Sequence, residues 1–403
     1  MAEGIGLILS GGGARGAYEI GVLSELLPWL EREHAQRPDV IVGSSVGVLN
    51  TAYIAAKAGE EIEQLVADGA RLWHEIRYRD VLAPFLSPGE LNELVRLTAS
   101  FFSAGVAPYT LLDPEPLTAT LRRMITFEDI HGNVADPEVA LRACAVVATA
   151  AHTNRTVVFH DGGPIVPSDE RRGIDYVPTE IGENHVRASA AIPVAFPAVE
   201  VRQPEDAAGW YFDGGARLNT PVKPALKLGA DRVIVVGLNS VAPAPQSPER
   251  PDLFDGSMQV VQGLLVDPAT HDVQTLATIN EVLIDGGQSS GDDQRSVVPY
   301  IFIAPSTPNA IGEIARDLYC ERYAGVRGLW RSRDLALLGR FVGASKTATR
   351  GELFSYLFFA GDFAAKLIEL GKEDARHWID DAHDYGAWQL RPVGNPSGVG
   401  AST

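Results

Sequence analysis

Ser45 stands at the centre of Gly43-Ser44-Ser45-Val46-Gly47, which is the GxSxG spacing of a nucleophile elbow. A serine on a sharp strand-to-helix turn holds its hydroxyl clear of its neighbours, and glycines two positions away let adjacent backbone pass closely. The residues around it fit: VIVGS precedes as a strand, and Val46, Leu49, Tyr53 and Ala56 follow at helical spacing, with Gly59 as a C-terminal cap. Ser45 is thereby expected near a helix N-terminus, where backbone N–H groups favour developing negative charge. A second cluster, SGGGARG, follows the apolar run IGLIL at residues 5 to 9. Gly11, Gly13 and Gly16 also satisfy GxGxxG, but a dinucleotide site wants an acidic residue at the end of the second strand, and GSSVG occupies that position. Glu31 and Glu33 belong to the end of the first helix. Successive glycine N–H groups are better used as an oxyanion hole.

A nucleophilic serine needs a base. None of the nine histidines stands with glycine punctuation at the end of a late apolar strand; His160 in VVFHDGG comes nearest. Asp213 is better placed, after Trp210-Tyr211-Phe212 and before Gly214 and Gly215, although Asp-Gly is also one of the commonest turn pairs.

The elements that must position these groups read as a βαβα unit over the first sixty residues. Ala17, Ile20, Leu23, Leu27 and Leu30 make one helical stripe, which Pro28 is expected to kink or end early. This order implies a parallel sheet with right-handed crossovers and ligands at the carboxyl ends of its strands. Residues 60 to 130 read as a helical layer beside the sheet. Strands return at ALRACAVVATA, RTVVFHD, WYFDGG, DRVIVVGLNS and VVPYIFIAPS, while VRASAAIPVAFPAVEV, broken by Pro193 and Pro197, reads as a loop with a short helical turn. Residues 241 to 256 are a proline-rich exposed connection, and the chain beyond the last strand is helical to about 385. The boundaries expected are a catalytic domain over 1–310, a helical C-terminal extension over 311–388 packed on it, and a disordered tail over 389–403.

Composition narrows the function. With 403 residues, 45% apolar and 21% charged, the chain can bury a large core. A net charge of −18 argues against nucleic acid and against long-range attraction to anionic lipid, without excluding a lipid substrate met through a local apolar surface. Cys144 and Cys320 are too few for a disulfide framework or a cysteine-rich zinc site, so a reducing cytoplasm fits and neither metal nor cofactor is expected. No signal peptide and no spanning run is legible, which leaves a cytoplasmic chain with transient peripheral contact at a membrane surface.

Four blocks in register, GGGARG, GSSVG, ASAAIPVAFPAV and DGG, resemble the patatin-like phospholipase family over about residues 5 to 220. The likeness continues more weakly to about 380, where ELFSYLFFAGDFAAKLIELGKEDA is similar to a closing helix of bacterial members. The resemblance implies an α/β protein with a three-layer α/β/α fold, a mainly parallel central sheet, a helical insertion and a helical C-terminal extension. It also implies a lipid acyl hydrolase in which Ser45 is the nucleophile, Asp213 the base, and Gly12, Gly13 and Gly11 the oxyanion loop. Arg15 matches a basic position that assists with substrate phosphate in related lipases, a plain salt bridge being its ordinary alternative. Acyl transfer by the same pair, a Ser-His-Asp α/β-hydrolase and a non-catalytic lipid-binding scaffold are the competing readings.

Overall fold

β1 (Ile5–Leu9) and β2 (Val40–Ser44), the strands that end in the two glycine-bearing turns, lie side by side in parallel at the centre of one sheet. The computed structural model describes residues 4–82, 115–192, 196–240, 268–285, 297–344 and 348–391. Within these, β3 (Ala143–Ala150), β4 (Thr156–Gly162), β5 (Ile174–Pro178), β6 (Val199–Val201), β7 (Gly209–Asp213), β8 (Arg232–Val236) and β9 (Tyr300–Ile303) complete the sheet. The path is β5-β4-β3-β2-β1-β8-β9, with β7 on β3 and β6 on β7. The run from β3 to β9 is parallel, whereas β4, β6 and β7 enter through antiparallel pairings.

Strand alternation builds the three layers. Leu7, Leu9, Ile41, Cys144 and Val146 point into a core shared with α1 (Gly16–His34), α2 (Gly47–Ala56) and the closing helix Gly361–Tyr385. Ile8, Val40, Val42, Ala145 and Val147 point the other way, onto Ala225 of helix Val222–Lys227, Leu228 just after it, and Leu276 and Ala277 of helix Pro268–Asp285. Both faces are covered, so the central strands read as continuous apolar runs. The chain leaves β1 for β2 on one side and returns to β8 on the other, which makes the carboxyl ends of β1 and β8 a topological switch point, with the end of β2 next to it.

Several expectations need correction. α1 runs through Pro28 to His34. Proline inside a helix costs about 3 kcal/mol, but Leu26, Leu27, Trp29 and Leu30 around it are all buried, so tertiary packing holds the helix together. The block read as a loop with a short helical turn opens on the last turn of helix Glu183–Ser189 and, beyond residues 193–195, which lie outside the described residues, ends in strand β6, which was not expected. β5 is a further strand that the sequence pattern does not mark. The tail expected from 389 starts anchored: Gln389 pairs with Tyr300 through both backbone groups, and the Tyr300 hydroxyl donates to the Arg391 carbonyl. Residues 392–403, the connection at 241–256 and much of the helical layer, 83–114, fall outside the described residues. Among those described, no helix is long and apolar enough to cross a membrane.

Candidate active site

One edge of β3 brings the elbow and the aspartate together. β2 occupies that edge up to Ser44, opposite Val147; from the next residue on, the same edge is taken by β7 running antiparallel, with Asp213 opposite Ala148. β7 thus meets β2 end to end, and the residue that closes β7 abuts the turn that closes β2. Ser45 sits at that junction with φ 53°, a left-handed conformation that strains a side-chain-bearing residue by about 1–3 kcal/mol. The strain is held by packing. A Cβ on Gly47 would lie 2.4 Å from the Leu9 carbonyl oxygen, so only glycine lets α2 start this close to β1. The Ser45 N–H donates to Ser189 Oγ at 3.0 Å, and Ser189 Oγ in turn donates to the Val147 carbonyl at 2.5 Å.

Ser45 Oγ donates to Asp213 Oδ2 at 2.6 Å, and the Gly215 N–H donates to Oδ1 at 2.7 Å. Backbone bonds fix the aspartate further, its N–H to the Ala191 carbonyl at 2.9 Å and its carbonyl to Thr149 Oγ1 at 3.0 Å. Asp213 is 0% exposed, and burial pushes its carboxyl up to about 7 against the opposing pull of the Ser45 and Gly215 hydrogen bonds. A carboxylate with that pKa is half-ionised near neutrality and can accept a proton there.

The glycine loop lies against the same serine. A Cβ on Gly11 would fall 2.4 Å from Ser45 Cβ and 2.6 Å from Asn219 Oδ1. The Gly11 N–H is already committed, donating to Asn219 Oδ1 at 3.0 Å. The amides of Gly12 and Gly13 have no acceptor among the described residues, so the free donors are these two and Gly11 is the close-approach residue. Gly11→Ala is expected to push the loop off Ser45 and lower kcat on a soluble ester by about 10² to 10³, with about 1–3 kcal/mol of overpacking cost; parallel rate and thermal-melt measurements separate the two effects.

Arg15 is corrected by its surroundings. The side chain is fully buried; its guanidinium ion-pairs with Glu352, donates to the Glu352 carbonyl at 2.6 Å and to Ser355 Oγ at 2.7 Å, and lies over the Tyr356 ring. No surface of it remains for a substrate phosphate. Because Ala14 N–H also donates to the Tyr356 carbonyl at 2.9 Å, the back of the glycine loop is tied to the C-terminal helices. Glu352→Gln, which leaves a buried guanidinium without its counter-charge, is expected to cost about 3–5 kcal/mol in denaturant unfolding. A substrate-phosphate role for Arg15 predicts instead unchanged stability and a KM effect confined to phospholipid.

Sequence reasoning missed Ser189 and Asn219. Ser189 lies in the ASAAIP block and Asn219 six residues after Asp213; small polar residues flanking a site are common enough to carry no signal alone. Among the described residues no histidine hydrogen-bonds Ser45 or Asp213: His160 Nδ1 faces the Gly162 carbonyl, and His185 is held by Gly182 and Gln203. Nor is any group of three His, Cys, Asp or Glu among them placed to hold a metal ion.

The protein thus has a mixed, mainly parallel sheet between helical layers, with a buried serine–aspartate contact at the carboxyl end of β2. The family model described as patatin-like phospholipase matches residues 7–226, and the chain belongs to the patatin-like phospholipase family, whose general activity is lipid acyl hydrolysis. No match is found among curated proteins. Among solved structures the chain is similar to VipD from Legionella pneumophila, at 14% identity and TM-score 0.34, covering 96% of this chain and 68% of that one. It is also similar to human GIVD cytosolic phospholipase A2, at 11% identity and TM-score 0.31, covering 93% of this chain and 63% of the human one, just under two thirds of its length.

Proposed function

We propose that the protein cleaves fatty-acyl esters of lipids through a Ser45–Asp213 dyad and an acyl-enzyme, as a serine hydrolase of the phospholipase A, lysophospholipase or esterase type. The observation that carries this reading is the 2.6 Å hydrogen bond from Ser45 Oγ to a fully buried Asp213. Asp213 Oδ2 takes the hydroxyl proton as Oγ attacks the ester carbonyl, and the oxyanion settles on the Gly12 and Gly13 amides. Collapse breaks the ester bond, with Asp213 returning the proton to the departing alcohol. Water then repeats the sequence on the acyl-enzyme, releasing the fatty acid and restoring Ser45.

We assign the acyl chain of the transferred group to an apolar slit beside α2, the helix that follows Ser45. Leu49, Leu72, Trp73, Leu121, Ile125 and Phe359 are among its walls, drawn from α2, helices Ile62–Glu75 and Glu115–Met124, and the C-terminal region. Its free volume is only about 20 Å³, space for about one water, so an acyl chain would enter by parting these side chains. Incubation of wild type and Ser45→Ala with a total lipid extract, followed by mass spectrometry, is the test. Free fatty acid with matching lysolipid or alcohol is expected from wild type alone. Acyl groups moved onto an added alcohol instead of water would reassign the chain as a transferase, and equal release by both proteins would remove the dyad.

A further inference from the structure

Helix Gly325–Arg331 carries Val326, Leu329 and Trp330 on one stripe, at i, i+3 and i+4, and turns that stripe to solvent, with Trp330 88% exposed. Beside it opens a cavity of about 510 Å³ lined by four arginines: Arg77 and Arg79 at the start of helix Tyr78–Val81, Arg331 and Arg333 from the C-terminal helices. The acids among them are set back. Asp334, paired with Arg79 at 3.1 Å, is 7% exposed against 70% for its arginine, and Asp362, paired with Arg331 at 2.8 Å, is likewise the more covered partner. In a chain of net charge −18 this is a local concentration of cationic heads beside unpartnered apolar side chains.

We propose that this face docks on an anionic lipid bilayer. Guanidinium groups at the rim meet headgroup phosphates, while Trp330, Leu329 and Val326 enter the boundary between headgroups and acyl chains, where an aromatic ring is favoured. The overall negative charge does not prevent this, because at physiological salt charges beyond about 8 Å are largely screened and the patch alone faces the membrane. Phe359 borders both this cavity and the apolar slit along α2. Docking therefore sets the bilayer at the mouth of the slit, a consequence that rests on the acyl-hydrolase reading, whereas the docking itself does not.

The test is vesicle flotation with full-length Ser45→Ala protein, so that binding is read without hydrolysis. Vesicles of phosphatidylcholine alone are compared with vesicles carrying about 30% phosphatidylserine, each at about 0.1 M and about 0.5 M salt. Binding is expected to the anionic vesicles and to weaken with salt. Trp330→Ser and Arg333→Glu are each expected to lower it roughly tenfold, with unchanged melting temperature and, in the Ser45 background, unchanged turnover of a soluble short-chain ester. Absent binding, equal binding to both vesicle types, or variants that bind like the parent would overturn the docking face; so would variants that abolish only self-association. Vesicle binding that depends on these residues, together with no fatty-acid release by the wild type, would leave docking standing and sink the acyl-hydrolase reading.

Discussion

Ser45→Ala is expected to lower fatty-acid release by roughly four to six orders of magnitude, the loss typical of removing a nucleophile whose partners act with it as a unit. Covalent labelling by a fluorophosphonate probe should vanish with it, and labelling at full stoichiometry in the variant would exclude Ser45 as the nucleophile. The fold should survive, since the alanine keeps the Cβ that packs against Gly11 and the backbone bond to Ser189 does not involve the hydroxyl. A second variant separates chemistry from strain. At φ 53° glycine rests where serine and alanine do not, so Ser45→Gly should be more stable than Ser45→Ala by about 1 kcal/mol while equally inactive. Equal stability would mean that the elbow stores no backbone strain.

Asp213→Asn should be as inactive, and its pH behaviour tells more. In the wild type kcat/KM is expected to rise on its acid limb through pH about 7, where the buried carboxyl ionises and can first take the serine proton. A limb near 4 would mean that Asp213 titrates like an exposed carboxylate and that burial does not tune it. The same shift has a signed effect on stability. The folded-state pKa lies above the unfolded value of about 3.9, so the folded protein holds this proton more tightly. The stabilisation is full below about pH 4 and is lost as pH rises through about 7. Asparagine has no charge to desolvate. The stability of Asp213→Asn relative to wild type should therefore grow from about pH 4 to about pH 8, by up to about 4 kcal/mol. Glu19, fully buried and pushed up to about 8, titrates in both proteins and cancels in the comparison. A flat difference would refute the shifted pKa whatever the activity.

The two glycine-bearing turns and the strands leading into them were legible because each is set by short-range sterics and by a period of two or 3.6, all contained within some twenty residues. The helical stripe from Ala17 to Leu30 is buried as its spacing requires. Asp213 was legible as a strand-end residue; alone it was one Asp-Gly turn among many, and only the joint pattern of four blocks singled it out. Its contact with Ser45 is created by β3, whose edge passes from β2 to β7 between Val147 and Ala148, and no local pattern encodes which strand continues another's edge. Arg15 shows the limit most sharply: its type and position suit a phosphate, but residues 337 and 340 positions away claim it. The same holds for the arginine face, assembled from segments some 250 residues apart, and for Pro28, tolerated because the core around it outweighs one lost hydrogen bond. By itself the sequence determined the candidate nucleophile and the glycine loop, since both are local backbone geometries. The tertiary structure decided the proton affinity of the aspartate proposed as the base, because a carboxyl titrates near neutrality only when water is excluded from it, and exclusion comes from the layers packed around it.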